Sequence, residues 1–270
     1  MENIRIAMIT CPCPAGDVRQ NLDSTIDWAG QARAAGAALA CFPEMNISGY
    51  GLDPGVYKKA SDLFENIVKE LSRLAAREKI TVLAGTVRQD QPTGLFRPCH
   101  IVAFPGGETA IYEKLHIAPP ETALFVPGNK VFVAGDQGCR FGLQLCYDAH
   151  FPELSTRLAL LGADLLFMPH ASPRGTAQEK YDSWMRHLTA RAYDNGLFVA
   201  ACNQSGDNGA GLAFPGVAVV IGPDGKVIDK RLGPDQMLVV DLAAADLAAV
   251  RNHRMRYFLP HRRPEIYRPD

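Results

Sequence analysis

One cysteine of this chain stands where a nucleophile would be useful. Cys146 follows the apolar run 141–145, which predicts a buried strand, and it precedes Pro152 and Glu153, residue types favoured in the first turn of a helix. Ligands and reactive groups collect at the carboxyl ends of strands in open α/β sheets, because the departing loops form a crevice there. Cys146 is therefore a candidate nucleophile. The alternative is an unreactive thiol packed in the core, the commoner role of a free cysteine.

A catalytic thiol needs partners, because at its ordinary pKa it is only slightly ionised at neutral pH. It requires a base within hydrogen-bonding reach and a cation for the oxyanion that its attack generates. Glu44 follows the predicted strand 38–42, and Lys114 interrupts a strand-like alternation at residues 111–117. Taken singly, each has an ordinary explanation: a solvated acid at a strand exit, and an edge charge that blocks strand pairing.

Taken together, the motifs around these residues are more specific. Phe-Pro-Glu at 42–44, Tyr-Glu-Lys-Leu-His at 112–116 and Cys-Tyr-Asp-x-x-Phe-Pro-Glu at 146–153 occur in that order. The set resembles the nitrilase superfamily of carbon–nitrogen hydrolases. The resemblance extends over nearly the whole chain.

The resemblance implies a fold and a set of catalytic residues. It implies an α-β-β-α sandwich and a catalytic triad that maps onto Glu44, Lys114 and Cys146. It also implies a second carboxylate upstream of the turn Phe-Val-Pro-Gly at 125–128. Glu121 matches that carboxylate, with the expected role of orienting Lys114 and the substrate.

The residues after the cysteine narrow the reaction. Nitrile-hydrolysing members tend to have Cys-Trp-Glu, and members that act on N-carbamoyl-D-amino acids tend to have Cys-Asn-Asp-Arg-Arg, whose arginines grip a carboxylate. Here Tyr147 and Asp148 are followed by Ala149 and His150, which removes that grip. The predicted reaction is hydrolysis of a small linear amide to a carboxylic acid and ammonia through a cysteine thioester.

Other functions remain open at this point. An N-carbamyl amine amidohydrolase would release CO2 together with ammonia, and a nitrilase would act on nitriles. A non-catalytic binding protein that retains the fold is an alternative from another class. The intact set of Glu44, Lys114 and Cys146 argues against that last alternative.

Four further side chains are candidates to contact the substrate. Tyr147 and His150 lie beside the cysteine in sequence, Tyr50 lies in the loop after the second predicted strand, and His170 ends a later strand. A histidine at a strand end is explained equally well as a packed structural residue. We expect these four to line the substrate pocket.

Apolar strand-like runs alternate with helical patterns along the chain. The strand candidates are residues 4–10, 38–42, 81–86, 100–104, 141–146, 164–169, 198–203, 216–221 and 237–241. The helix candidates are residues 17–35, 57–78, 152–161, 177–194 and 243–252. Hairpin signals at 105–107 and 222–225 add antiparallel pairs to the crossovers. We predict an α/β fold in one domain, residues 1–270: a four-layer α-β-β-α sandwich with two mixed β-sheets.

The composition is that of a globular protein whose apolar core is large enough to be stable without disulfides or a structural metal. Of 270 residues, 47% are apolar, and the formal net charge of −1 gives no general attraction to nucleic acid or anionic membranes. No basic leader opens the chain, and no apolar run approaches the roughly 20 residues of a membrane span. Seven cysteines without framework spacing indicate reduced thiols. We expect a cytoplasmic enzyme with a small-molecule amide as partner, and neither metal nor cofactor.

The tail of the chain is locally basic at residues 251–263, which could suggest a nucleic-acid patch. The interleaved apolar residues Met255, Tyr257, Phe258 and Leu259 indicate burial instead. In the family that the motifs resemble, the C-terminal segment commonly packs at a subunit interface. We therefore expect the tail, at about 251–270, to contribute to a homodimer or a higher homo-oligomer.

Overall fold

Two six-stranded β-sheets form the centre of the protein, whose residues 1–267 are described by a computed structural model. Strands are numbered in chain order. The first sheet contains β1 (Ile4–Thr10), β2 (Leu39–Cys41), β3 (Thr81–Gln89), β4 (Phe96–Ala103), β5 (Thr109–Glu113) and β14 (Gln236–Leu242). Their order is β14-β1-β2-β3-β4-β5, with β1, β2 and β3 parallel and the remaining neighbours antiparallel.

The second sheet repeats this plan. It contains β6 (Val133–Asp136), β7 (Cys139–Leu143), β8 (Leu165–His170), β9 (Phe198–Asn203), β12 (Val217–Ile221) and β13 (Val227–Leu232). The order is β13-β12-β9-β8-β7-β6, again parallel in the middle and antiparallel at both edges. Strands β10 (Ser205–Asp207) and β11 (Ala213–Pro215) pair in a separate ribbon. Both sheets are thus mixed, as predicted.

Helices cover the outer faces of the sheets. The helices are α1 (Val18–Ala34), α2 (Gly55–Asp62), α3 (Phe64–Glu78), α4 (Pro152–Leu160), α5 (Ala177–Met185), α6 (Leu188–Asn195) and α7 (Ala244–Arg251). The first three pack on the first sheet, and α4 to α6 pack on the second. Among the described residues, none of the helices combines the length and the apolar character needed to cross a membrane.

Alternation along the strands produces the layers. In β1, Ala7 and Ile9 face the helices, whereas Ile6 and Met8 face the second sheet, where they join a core that includes Phe167. Because successive strand residues point to opposite faces, one apolar strand serves two cores at once. Three apolar cores therefore separate four layers, and the predicted α-β-β-α sandwich is confirmed.

Two predicted helices are each divided in the structure. The pattern at 57–78 becomes α2 and α3, interrupted at Leu63, whose ψ is 5°. The pattern at 177–194 becomes α5 and α6, interrupted at His187, whose φ is −128°. Both halves of each pair pack on the same sheet, so the apolar periodicity continues across the break and conceals it.

The tail follows α7 in short 3-10 turns at Leu259–His261 and Pro264–Ile266. Leu259 is buried, but Met255 is 73% exposed and Ile266 is 59% exposed. Residues 268–270 of the predicted interface segment lie outside the described residues. The assignment of this tail to a subunit interface stays a prediction.

Candidate active site

Glu44 lies in a tight turn after β2, and its side chain is buried. The turn is fixed to β3, since the backbone N–H of Gly85 donates to Asn46 Oδ1 at 2.7 Å. Gln204 Nε2, just beyond β9, donates to the backbone oxygen of Glu44 at 2.7 Å. Met45 adopts a φ of 54°, a left-handed conformation that costs about 1–3 kcal/mol and requires such support. Both sheets therefore hold this carboxylate in place.

Gly85 leaves the space that the Glu44 turn occupies. A Cβ at this position would lie 2.3 Å from the backbone nitrogen of Met45 and 3.1 Å from the carbonyl carbon of Glu44. We expect Gly85→Ala to displace the carboxylate and lower kcat/KM by about 100-fold, the effect of a misplacement near 1 Å. Gly30→Ala is the matched control, because a Cβ there meets no atom within 4 Å. Steady-state kinetics with equal activity in both variants would contradict this role of Gly85.

Lys114 follows β5 and lies between two carboxylates. Its Nζ is 2.9 Å from Glu44 Oε1 and 3.2 Å from Glu121 Oε2, and the lysine is 1% exposed. Burial by itself lowers the pKa of Lys114, but the two facing carboxylates together raise it well above its ordinary value. Lys114 is therefore held as a cation. An ammonium has three donors, so one remains for a ligand.

Glu121 is fixed by several donors. It closes the 3-10 turn Pro119–Glu121, where the backbone N–H of Ala118 donates to Oε2 at 3.4 Å. The hydroxyl of Tyr50 donates to Oε1 at 2.9 Å. Tyr50 thus orients the carboxylate that faces Lys114. Its predicted contact with the substrate stays a prediction.

Cys146 begins a five-residue 3-10 turn, Cys146–His150, between β7 and α4. The predicted strand reached residue 146, but β7 ends at Leu143 and Cys146 has a φ of 44°. A left-handed φ turns the chain sharply, which a continuing strand would not do. Burial raises the pKa of the thiol, the charge of Glu44 raises it further, and Lys114 opposes both. Cys146 is therefore a neutral thiol at neutral pH, within the electrostatic influence of both Glu44 and Lys114.

Asp148 anchors this turn from inside. Its carboxylate is fully buried and accepts four hydrogen bonds. The donors are the hydroxyl of Tyr112 at 2.7 Å, the backbone N–H and ring Nδ1 of His116 at 2.8 Å each, and the backbone N–H of Leu145 at 3.0 Å. Tyr112 belongs to the first sheet, so Asp148 ties the cysteine turn to the chain segment that carries Lys114.

The segment after β8 completes the cluster. The backbone N–H of Ala171 donates to Glu44 Oε2 at 3.1 Å. Asn203 clamps the next residue from both sides: its Oδ1 accepts from Ser172 N at 2.8 Å, and its Nδ2 donates to Ser172 O at 2.9 Å. The second sheet thereby positions a donor against the carboxylate of the first.

The remaining pocket candidates lie in two sets of packed rings, one with His170 and one with Tyr147 and His150. His170 is buried, its Nδ1 lies 2.7 Å from the backbone oxygen of Met168, and its ring packs on Trp184 at 4.1 Å. Burial lowers the pKa of His170 well below its ordinary value. A carbonyl only accepts, so Nδ1 carries the proton and Nε2 is an acceptor. His150, which is exposed, lies 5.5 Å from the ring of Tyr147.

The structure therefore brings Glu44, Lys114, Glu121 and Cys146 into one cluster, with Tyr50 behind it. Sequence reasoning did not assign a structural role to Asp148, Asn203, Gln204 or Trp184. The polarity of Asp148, Asn203 and Gln204 beside apolar runs was a signal, because a buried polar side chain needs partners. Within residues 1–267, no group of three or more His, Cys, Asp or Glu side chains could hold a metal ion.

Comparison with known proteins identifies the family. The family model described as carbon-nitrogen hydrolase matches residues 5–252. The chain belongs to the carbon–nitrogen hydrolase family. This carbon–nitrogen hydrolase is 28% identical over 250 residues to an (R)-stereoselective amidase of Pseudomonas sp, covering 92% of this chain and 88% of that protein. It is 33% identical over 254 residues to a hydrolase of Mycobacterium tuberculosis, covering 87% and 88%.

Its fold is similar to that of an amidase of Nesterenkonia sp. AN1 from the nitrilase superfamily. A cysteine-to-alanine mutant of that amidase, solved in complex with butyramide, matches with a TM-score of 0.85 at 29% identity, covering 98% of this chain and 95% of the other. A glutamate-to-leucine mutant of the same amidase carries the acetamide moiety of fluoroacetamide on its active-site cysteine. The resemblance seen in the motifs is confirmed, and the protein is an amidase-type carbon–nitrogen hydrolase.

Proposed function

We propose that this carbon–nitrogen hydrolase converts small linear amides and water into carboxylic acids and ammonia, through a thioester on Cys146. The observation that carries the proposal is the buried ion cluster of Glu44, Lys114 and Glu121 beside a cysteine in a left-handed turn. A base, a fixed cation and a thiol are the groups that acyl transfer to sulfur requires. The butyramide complex of the Nesterenkonia amidase supports the choice of a linear amide.

In the acylation half-reaction, Glu44 accepts the proton of the Cys146 thiol while the sulfur attacks the amide carbon. The free donor of Lys114 and the backbone N–H of Tyr147 stabilise the oxyanion. Glu44 then gives the proton to the amide nitrogen, the C–N bond breaks, and ammonia leaves. The acyl group remains on sulfur as a thioester.

In the deacylation half-reaction, water attacks the thioester carbon and Glu44 accepts its proton. The C–S bond breaks as the oxyanion collapses, and the sulfur recovers the proton from Glu44. The carboxylic acid leaves, and the enzyme returns to its starting protonation state. One residue thus serves as base and acid in both halves.

A substrate panel tests this function. Purified protein is incubated with linear amides, N-carbamyl amines and nitriles, with ammonia and CO2 measured separately, and Cys146 is examined for an acyl adduct by mass spectrometry. We expect ammonia from the amides and an acyl adduct on Cys146. Turnover of carbamyl compounds alone would establish the N-carbamyl amine amidohydrolase instead. Neither turnover nor an adduct across the panel would favour a binding protein.

The pH profile should report Glu44. Burial raises the pKa of this carboxyl, Lys114 opposes the rise, and the like charge of Glu121 adds to it. Catalysis needs the ionised base, so kcat/KM should fall as pH drops through a pKa above the ordinary value of about 4.3. Glu121→Gln removes the like charge and should move this acid limb to lower pH. An acid limb that stays in place in Glu121→Gln would contradict the assignment.

A further inference from the structure

Helix α5 presents a second lysine towards the site. Lys180 and Trp184 are four residues apart and so share one face of the helix. Trp184 packs on His170, while Lys180 Nζ donates to Ser172 Oγ at 2.8 Å and to Pro173 O at 3.1 Å. The residue before Ser172 is Ala171, whose N–H donates to Glu44. The Lys180 ammonium therefore binds the residues that directly follow Ala171, the residue that donates to Glu44.

Both oxygens that hold Lys180 are uncharged, and the ion pairs found among residues 1–267 do not include it. Burial lowers the pKa of Lys180, and Cys146 opposes that shift only in its thiolate form. With two of its three donors used, the ammonium keeps one for a ligand. Partial removal of the Lys180 ammonium from water costs free energy, and no anion among the described residues offsets that cost. A negatively charged ligand would offset it.

The charges of the cluster indicate the sign of the missing ligand. Glu44 and Glu121 against Lys114 leave the ion cluster with one excess negative charge. An anionic substrate would be repelled there unless another cation faced its charged end. Lys180 is such a cation, and it lies on α5, a different element from the turn Cys146–His150 where the motif lacks arginines.

We propose that Lys180 binds a carboxylate at the far end of the amide, so that the preferred substrates are linear amides carrying a terminal carboxylate. The proposal rests on the proposed amide hydrolysis and adds the substrate's charge. The carboxylate replaces no existing partner, since the third N–H of Lys180 is free to donate to it. A charge-assisted hydrogen bond of this kind corresponds to about a 10- to 100-fold effect on kcat/KM.

The test compares charged and neutral amides of matched length. Succinamic, glutaramic and adipamic acids are assayed beside butyramide, pentanamide and hexanamide, with wild type, Lys180→Met, Lys180→Arg and the exposed-lysine control Lys69→Met. We expect wild type to favour the charged series. Lys180→Met should raise KM for the best acid amide by about 10- to 100-fold and move neutral-amide KM far less. Lys180→Arg should recover part of the loss.

Binding without turnover separates the two proposals. In a Cys146→Ala background, the best acid amide should raise the thermal midpoint when Lys180 is present and fail to do so in Lys180→Met. Equal losses for charged and neutral amides would show that Lys180 only supports the Ser172 segment, and would overturn the inference. If wild type turned over the neutral amides and showed no preference for the acid amides, this inference alone would be wrong. Turnover of neither series would sink the proposed function with it.

Discussion

Replacing Cys146 with alanine is expected to reduce amide turnover by about 10⁴-fold or more, while the protein stays folded. The substitution removes the sulfur that forms the thioester but keeps the Cβ, so the left-handed φ of 44° is no harder to adopt. Cys146 is also the one cysteine among residues 1–267 that is only partly buried, whereas the others are buried. Stopped assays for ammonia and a thermal melt measure the two effects.

Cys139→Ala is the matched control for this prediction. Cys139 is buried on β7, in the core between the sheets, and makes no contact with the ion cluster. The Cys139→Ala variant should retain activity but lose stability, whereas Cys146→Ala should lose activity but stay folded. If Cys146→Ala instead unfolded the protein, the thiol would be a packing residue and the proposed mechanism would lose its nucleophile.

Asp148→Asn is expected to disable the enzyme without touching any group that reacts. The carboxylate accepts two hydrogen bonds at each oxygen. An amide keeps one accepting oxygen and turns its NH2 group towards two donors. Leaving two buried donors unsatisfied costs about 1–3 kcal/mol each, a large share of a typical stability of about 5–15 kcal/mol. We expect a lower midpoint in urea and a kcat reduced by at least about 100-fold.

A graded series tests the reason for that loss. Tyr112→Phe removes one of the four donors and should produce a smaller fall in both stability and kcat. Asp27→Asn, at an exposed position of α1, should change neither. A kcat in Asp148→Asn close to that of wild type would mean that the cysteine turn does not need this anchor.

Local pattern placed Glu44 and Cys146 after apolar strands, because strand ends are local properties. It did not single them out as catalytic, since each taken alone has an ordinary explanation; the ordered motifs and the family that they resemble did so. The prediction erred where local pattern is ambiguous. The predicted strand was extended to Cys146. The 3-10 turn that begins there follows the apolar residue Leu145 and is too short to show a hydrophobic periodicity of its own.

Pairings between distant segments could not be predicted. Asp148 and Tyr112 are 36 residues apart, and Asn203 and Ser172 are 31 residues apart. Each pair forms only after strands of separate segments have been brought together, and no spacing along the chain encodes the partner. The short strands β6, β10 and β11 escaped prediction for a related reason: their sequences carry no apolar alternation, and their pairing partners define them.

The placement of β14 beside β1 has a consequence for the nascent protein. The seven residue pairs that join these strands link Ile4–Thr10 to a segment made more than 220 residues later, the separation of Thr10 and Gln236 being 226. Until that segment leaves the ribosome, one edge of β1 has unpaired backbone N–H and C=O groups. Such an edge can pair with a strand of another chain. We expect the first turnover of each molecule to follow the docking of β14, so that enzymatic activity reports completed synthesis of the sheet.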